Sequence, residues 1–150
     1  SRTYIYLWKY VALLLLILVF NVVCIGLDVI GFVAIGEEIA IAEYMEYHIL
    51  ALVMQIEVGS ICYLISAICK RKQIGPALGI AVFLYMMDIM YNIVPDLEFF
   101  KFLTPYYYGN AAAIYSGEES RIGFALLGLA VTVIVVVLGG MVYKKRDMAA

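Results

Sequence analysis

The chain has 150 residues, of which 66% are apolar and 15% charged, and its formal net charge is -2. Ordinary soluble domains are roughly 45–50% apolar and about 25% charged, so a soluble fold of this length could not hide these side chains, and a bilayer is their natural solvent. A balance this close to neutral gives no argument for a nucleic-acid partner.

The sequence opens on Ser1, Arg2 and Thr3 rather than on Met. The first apolar run is too long for a signal peptide and no small-residue cleavage site follows it. The chain is therefore expected to be the C-terminal part of a longer protein.

A helix crossing the hydrocarbon core needs roughly 20 residues at about 1.5 Å each. The first such span is expected from about Leu7 to Ile35, with no charge between Val11 and Leu27. Ahead of it and within its start, Tyr4, Tyr6, Trp8 and Tyr10 have the look of an aromatic belt. Asp28 lies near its far end, most simply as a packing residue. The stretch "EYMEYH" then brings Glu43, Glu46 and His48 together; a solvated helix start is the expected reading, and no metal site is assigned. The second span runs from about His48 to Cys69, interrupted by Glu57. A carboxylate near mid-membrane costs roughly 2.5–3.5 kcal/mol and must face protein or water. Glu57 is either a substrate-path carboxylate or a packing residue, with Gln55 or Ser60 nearby. Ser60 lies too far from His48 on the same helix for serine hydrolysis, roughly 18 Å along the axis.

The third span, residues 74 to 93, has Pro76 in its first turn and is stopped by Pro95. Gly75 and Gly79 have GxxxG spacing, which is expected to mean close helix packing. Asp88, with Asn92 one turn on and Tyr85 and Tyr91 on either side, forms a polar stripe that could line a cavity or anchor the following loop. Cys24, Cys62 and Cys69 all lie in apolar runs and read as small buried hydrophobes.

Residues 97–119 follow, a segment that is apolar and aromatic but too short, and too broken by Lys101 and Pro105, to span. It is expected to fold back onto the membrane interface or to dip into it under protein cover. Asn110 is placed to cap a short helix through "AAAIY" ending at Gly117. Tyr106, Tyr107, Tyr108 and Tyr115 are either an interfacial belt or part of an outer gate. Ser116 and Glu119 have capping-box spacing ahead of the last span, residues 122 to 143, which carries no charge. Lys144, Lys145 and Arg146 suit its C-terminus.

Period-two alternation is absent, so a membrane β-barrel is not expected. The fold expected is an all-α transmembrane bundle in one domain, residues 1–150: four spans plus the re-entrant or interfacial segment. Eight of the ten basic residues (Arg2, Lys9, Lys70, Arg71, Lys72, Lys144, Lys145 and Arg146) fall on one side of that topology. The positive-inside rule makes that side, with both termini, cytoplasmic. No catalytic residue and no cofactor is expected, since no GxxxxGK[ST] phosphate loop occurs.

Three stretches carry a family resemblance. "SRTYIYLWKY" resembles the S-R-x-x-I-x-L-x-K pattern that enters the third membrane helix of type-2 ABC transporter permeases. "FLTPYYYGNAAAIYSG" resembles their segment before the last helix, and "VYKKRDMAA" their short basic tail. The three stand in the expected order across nearly the whole chain. The resemblance implies the C-terminal part of a six-helix permease, forming homo- or heterodimers in a cell membrane, bacterial by that pattern. It further implies a partner ATPase subunit that drives transport, usually export. The resemblance supplies no residue-level site; Glu57, Asp88 and Asn92 are candidate path residues on membrane physics alone. The first two helices and most of the coupling helix are missing from the pattern. Two rivals remain: a non-transporting membrane protein (immunity, assembly or sensor subunit), and an intramembrane enzyme using Glu57 and Asp88.

Overall fold

The computed structural model describes residues 2–69, 74–117 and 120–145. Lys70, Arg71, Lys72, Glu119 and Arg146, used above for orientation and capping, lie outside the described residues. Those described form no strand. Among the described residues, four helices are long and apolar enough to span: α1 (Arg2–Ile35), α2 (Ile41–Ile68), α3 (Gly75–Ile93) and α5 (Ile122–Lys145). Between α3 and α5 come two 3-10 stretches, Pro95–Phe102 and Pro105–Tyr107, and a short helix α4 (Ala111–Tyr115).

The helix ends have local causes. Gly36 closes α1 at φ 73°, with its own N–H bonded to the Val33 carbonyl and the Glu37 N–H to that of Phe32. This is a Schellman closure, which needs the left-handed conformation that glycine adopts without strain. α2 begins at Ile41, seven residues before the expected start of the span, and Glu43 in its first turn suits the positive end of the helix dipole. Pro76 lies in the first turn of α3. Asn110 caps α4 by accepting from the Ala113 N–H, and Gly117 follows at φ 72°. Ser116 does not cap the last helix as expected; it ends α4, its hydroxyl donating to the Ala113 carbonyl. Lys144 and Lys145 fall in the last turn of α5.

α2 is the hub: it packs most extensively on α5 and also meets α1, α3, α4 and Pro105–Tyr107. The buried face of α5 is made of small residues, Ala125, Gly128, Thr132 and Gly139, spaced to fall along one side. Without a water-driven hydrophobic effect in lipid, small residues let helices approach until backbone and side chain interdigitate. The close approaches are at Gly59, Gly128 and Gly139. The expected packing at Gly75 and Gly79 is absent among the described residues, where a Cβ would meet open space.

α1 buries only Tyr6 and Asn21. Tyr6 inserts toward Gly139, donating to the Val136 carbonyl at 2.9 Å, and Tyr63 donates to the Tyr6 carbonyl at 2.7 Å. Farther along, Asn21 Nδ2 donates to Gln55 Oε1 at 2.6 Å. The aromatic belt therefore divides by helix face: Tyr4 and Trp8 point outward, 61% and 57% exposed, while Tyr6 is buried in the bundle. Leu16, Val22 and Val33 also stand mostly exposed, which suits lipid rather than water.

The starts of α1 and α3 and the ends of α2 and α5 share one end of the bundle. There Arg2 donates to the Lys144 carbonyl and the Cys62 thiol to that of Ala77. With Arg2, Lys9, Lys144 and Lys145 this is the basic end. Asp28, Glu43, Glu46, Asp96 and Glu98 belong to the opposite, acidic end.

Candidate functional site

α3 is only 19 residues long, about 28 Å, slightly less than the roughly 30 Å hydrocarbon core. The chain thus leaves the helix at the membrane boundary, and its next turns must be satisfied by protein. Segment 95–117 meets that demand by turning back into the bundle. Thr104, buried, donates to the Leu84 carbonyl at 2.8 Å while its oxygen accepts from the Tyr106 N–H. Leu84 lies nine residues before the end of α3, so the segment descends about 13 Å alongside it. The segment dips into the bundle rather than lying on the interface.

At the bottom of that descent Tyr108, 2% exposed, donates to Glu57 Oε2 on α2 at 2.6 Å. Gly128 of α5 completes the contact: a Cβ there would fall on the Glu57 carboxylate and the Tyr108 hydroxyl. Gly109 is equally constrained, against the Met54 side chain. A cavity of about 20 Å³ remains beside Glu57, lined by Thr104, Phe124, Gly128 and Val131 among others. That is room for about one water.

Glu57 thus pairs with neither of the neighbours considered from sequence. Gln55 accepts from Asn21, and Ser60 is bonded to Tyr10 and to the Ile56 carbonyl.

A second contact set holds the other side of the segment. The Arg121 guanidinium lies 4.1 Å from the Tyr107 ring centre and donates to the Tyr107 carbonyl. Tyr91 and Phe124 pack edge-on against the same ring, and Tyr85 packs edge-on against Tyr106. Asp88, 8% exposed, is within electrostatic reach of Arg121, and Asn92 donates to its carbonyl and to Oδ2. Asp88 Oδ1 and Thr132 Oγ1 are buried and find no hydrogen-bond partner among the described residues. The tyrosines of the segment divide accordingly: Tyr108 is locked inside, Tyr106 and Tyr107 are half-buried, and Tyr115 is 44% exposed.

At the acidic end, His48 Nε2 comes within 3.4 Å of Asp28 Oδ2, without the alignment of a hydrogen bond. That approach links α2 to α1, while His48 packs edge-on with Tyr44 and Tyr47 of its own helix. Among the described residues no three His, Cys, Asp or Glu side chains meet in a metal-binding group. Burial, with Glu43 and Asp28 close by, pushes the Tyr115 hydroxyl up.

Gly128 and Thr104 were not singled out in sequence. The 3- and 4-residue spacing of Ala125, Gly128 and Thr132 was the available signal for the first. For Thr104 there was only its place before Pro105.

Glu57 and Asp88 are thus brought to two sides of one re-entrant segment, with Asn92 beside Asp88 on a more exposed face. A sequence-family model described as ABC-2 family transporter protein matches residues 1–148. No curated protein and no solved structure matches the chain.

Proposed function

The chain belongs to the ABC-2 family of transporter proteins, and on that premise we propose that it is the permease subunit of an ATP-driven exporter whose outer gate is segment 95–117. ATP is hydrolysed on a partner subunit. The path runs along a surface shared by two permease subunits, identical or related. The acidic end faces outward, and both termini face the cytoplasm of a bacterial cell. The charge asymmetry between the two ends supports this orientation.

The observation that carries the gate reading is the Tyr108–Glu57 bond at 2.6 Å, made across the bundle by a segment whose Tyr107 also packs on the Arg121 that faces Asp88. Withdrawing the segment would uncover Glu57 and take Tyr107 away from the Arg121 that faces Asp88, whose Oδ1 finds no hydrogen-bond partner among the described residues. Buried polar atoms without partners are costly in a membrane, and such positions mark groups that meet water or substrate in another conformation. Glu57, Asp88 and Asn92 are then polar lining of the opened path. Tyr106, Tyr107, Tyr108 and Tyr115 belong to the gate.

The test is purification of the tagged full-length protein from native membranes in mild detergent. A stoichiometric ATP-binding subunit should accompany it, and reconstituted complex should move substrate only with hydrolysable ATP. A clean preparation with no such subunit would favour the non-transporting reading, in which the same bonds only hold helices together.

A further inference from the structure

A second concave site lies at the basic end, away from the gate. It is a cleft of about 90 Å³ between α1, α2 and α5, lined by Tyr6, Lys9, Tyr63, Ser66, Ala67 and Tyr143. That is room for several waters, and well below the roughly 300–1,000 Å³ of a substrate-sized cavity. Its polar groups are unequally committed. The Tyr6 hydroxyl is spent on the Val136 carbonyl and that of Tyr63 on the Tyr6 carbonyl. Lys9 makes no ion pair among the described residues; its ammonium lies 5.8 Å from the Tyr143 ring centre. Arg2, Lys144 and Lys145 lie at the same end, where the described residues include no carboxylate.

The depth of Lys9 also matters. It is flanked by Tyr4 and Trp8, which stand exposed and edge-on to one another. Outward-facing Trp and Tyr settle at the boundary between headgroups and acyl chains. A lysine at that level extends its ammonium toward phosphate. Basic clefts between membrane helices at this level have the chemistry to hold phosphate headgroups.

We propose that this cleft binds a phosphate group, with Lys9 as the charge and the Tyr143 hydroxyl as a donor. The group comes either from an anionic phospholipid seated against α1 or from free phosphate. The site does not depend on the gate or on the direction of transport.

The experiment is native mass spectrometry of the full-length protein after equilibration with phosphatidylglycerol or phosphatidylcholine in detergent, repeated with millimolar inorganic phosphate. Wild-type protein should retain phosphatidylglycerol in preference to phosphatidylcholine. Lys9→Gln should lower that retention about fivefold, the effect of one basic residue near an anionic surface. Tyr143→Phe should lower it about twofold or more. Lys101→Gln removes the same charge at the acidic end and should leave it unchanged, and Lys9→Arg should preserve it. Retention that millimolar phosphate does not displace assigns the site to the lipid headgroup. Displacement by phosphate assigns it to the phosphate group whatever its source. Equal retention of the two lipids by wild type, or equal losses in Lys9→Gln and Lys101→Gln, would overturn the proposal.

Discussion

Replacing Gly128 by alanine adds one methyl group at the point where α5, α2 and the re-entrant segment converge. The new Cβ would fall on Glu57 Oε2 and the Tyr108 hydroxyl, with the Glu57 carboxyl carbon 3.1 Å away. Neither oxygen can turn aside freely, because the two are bonded to each other at 2.6 Å and both residues are buried. Relief requires either separating α5 from α2 or breaking the bond. Overpacking costs about 1–3 kcal/mol, and losing a hydrogen bond to a carboxylate about 1.5–3 kcal/mol. Only the cheaper route is taken, so Gly128→Ala should destabilise by about 2 kcal/mol, roughly a thirtyfold shift in the folding equilibrium. SDS-titrated unfolding of the purified protein reads this directly. The double variant Gly128→Ala with Tyr108→Phe should cost at least about 1 kcal/mol less than the sum of the singles, because Tyr108→Phe already removes the bond that holds Glu57 in place. An alanine variant within about 0.5 kcal/mol of wild type, or strict additivity in the double, would refute this convergence.

Further substitutions probe this contact and two others. Gly139→Ala should destabilise by about 1–3 kcal/mol, since its Cβ falls on the Tyr6 hydroxyl, and Tyr6→Phe should suppress much of that loss in the same unfolding assay. Asn21→Leu breaks the α1–α2 bond to Gln55 and should cost about 0.6–1.7 kcal/mol, the range for such bonds in membranes. Glu57→Gln keeps a carbonyl that can accept from Tyr108, so unfolding should shift by less than about 1 kcal/mol, whereas Tyr108→Phe should cost more by leaving the buried carboxyl without its donor.

The helices were legible because their causes are local. Apolar run length, Pro76, Pro95, Asn110 and Gly117 each act within a few residues, and each does in the structure what its chemistry suggested. α2 extended further than its apolar core because Glu43 is a good first-turn residue even though it is not a membrane residue. The site was legible in part. Glu57 and Asp88 stand out as carboxylates in apolar spans, so their importance could be read, but their partners could not. Tyr108 lies 51 residues from Glu57, and no periodicity links a loop tyrosine to a helix carboxylate. The four aromatics at the start of α1 looked alike in sequence. Helical rotation gave Tyr6 to the bundle and Tyr4 and Trp8 to the outside. GxxxG spacing misdirected attention to Gly75 and Gly79, because spacing shows where helices could approach and not which pair does.

The claim that segment 95–117 closes a path over Glu57 is tested most directly by one accessibility measurement. Val131 lines the small cavity beside Glu57, and Cys24, Cys62 and Cys69 can be replaced by serine. A single cysteine at position 131 would be labelled with a membrane-impermeant thiol reagent applied from outside, in reconstituted complex with its ATPase. Labelling should be slow at rest and at least about tenfold faster when the complex is trapped with ATP and vanadate. Equal rates in the two states would contradict the gate and leave Tyr108 and Glu57 as a fixed structural bond.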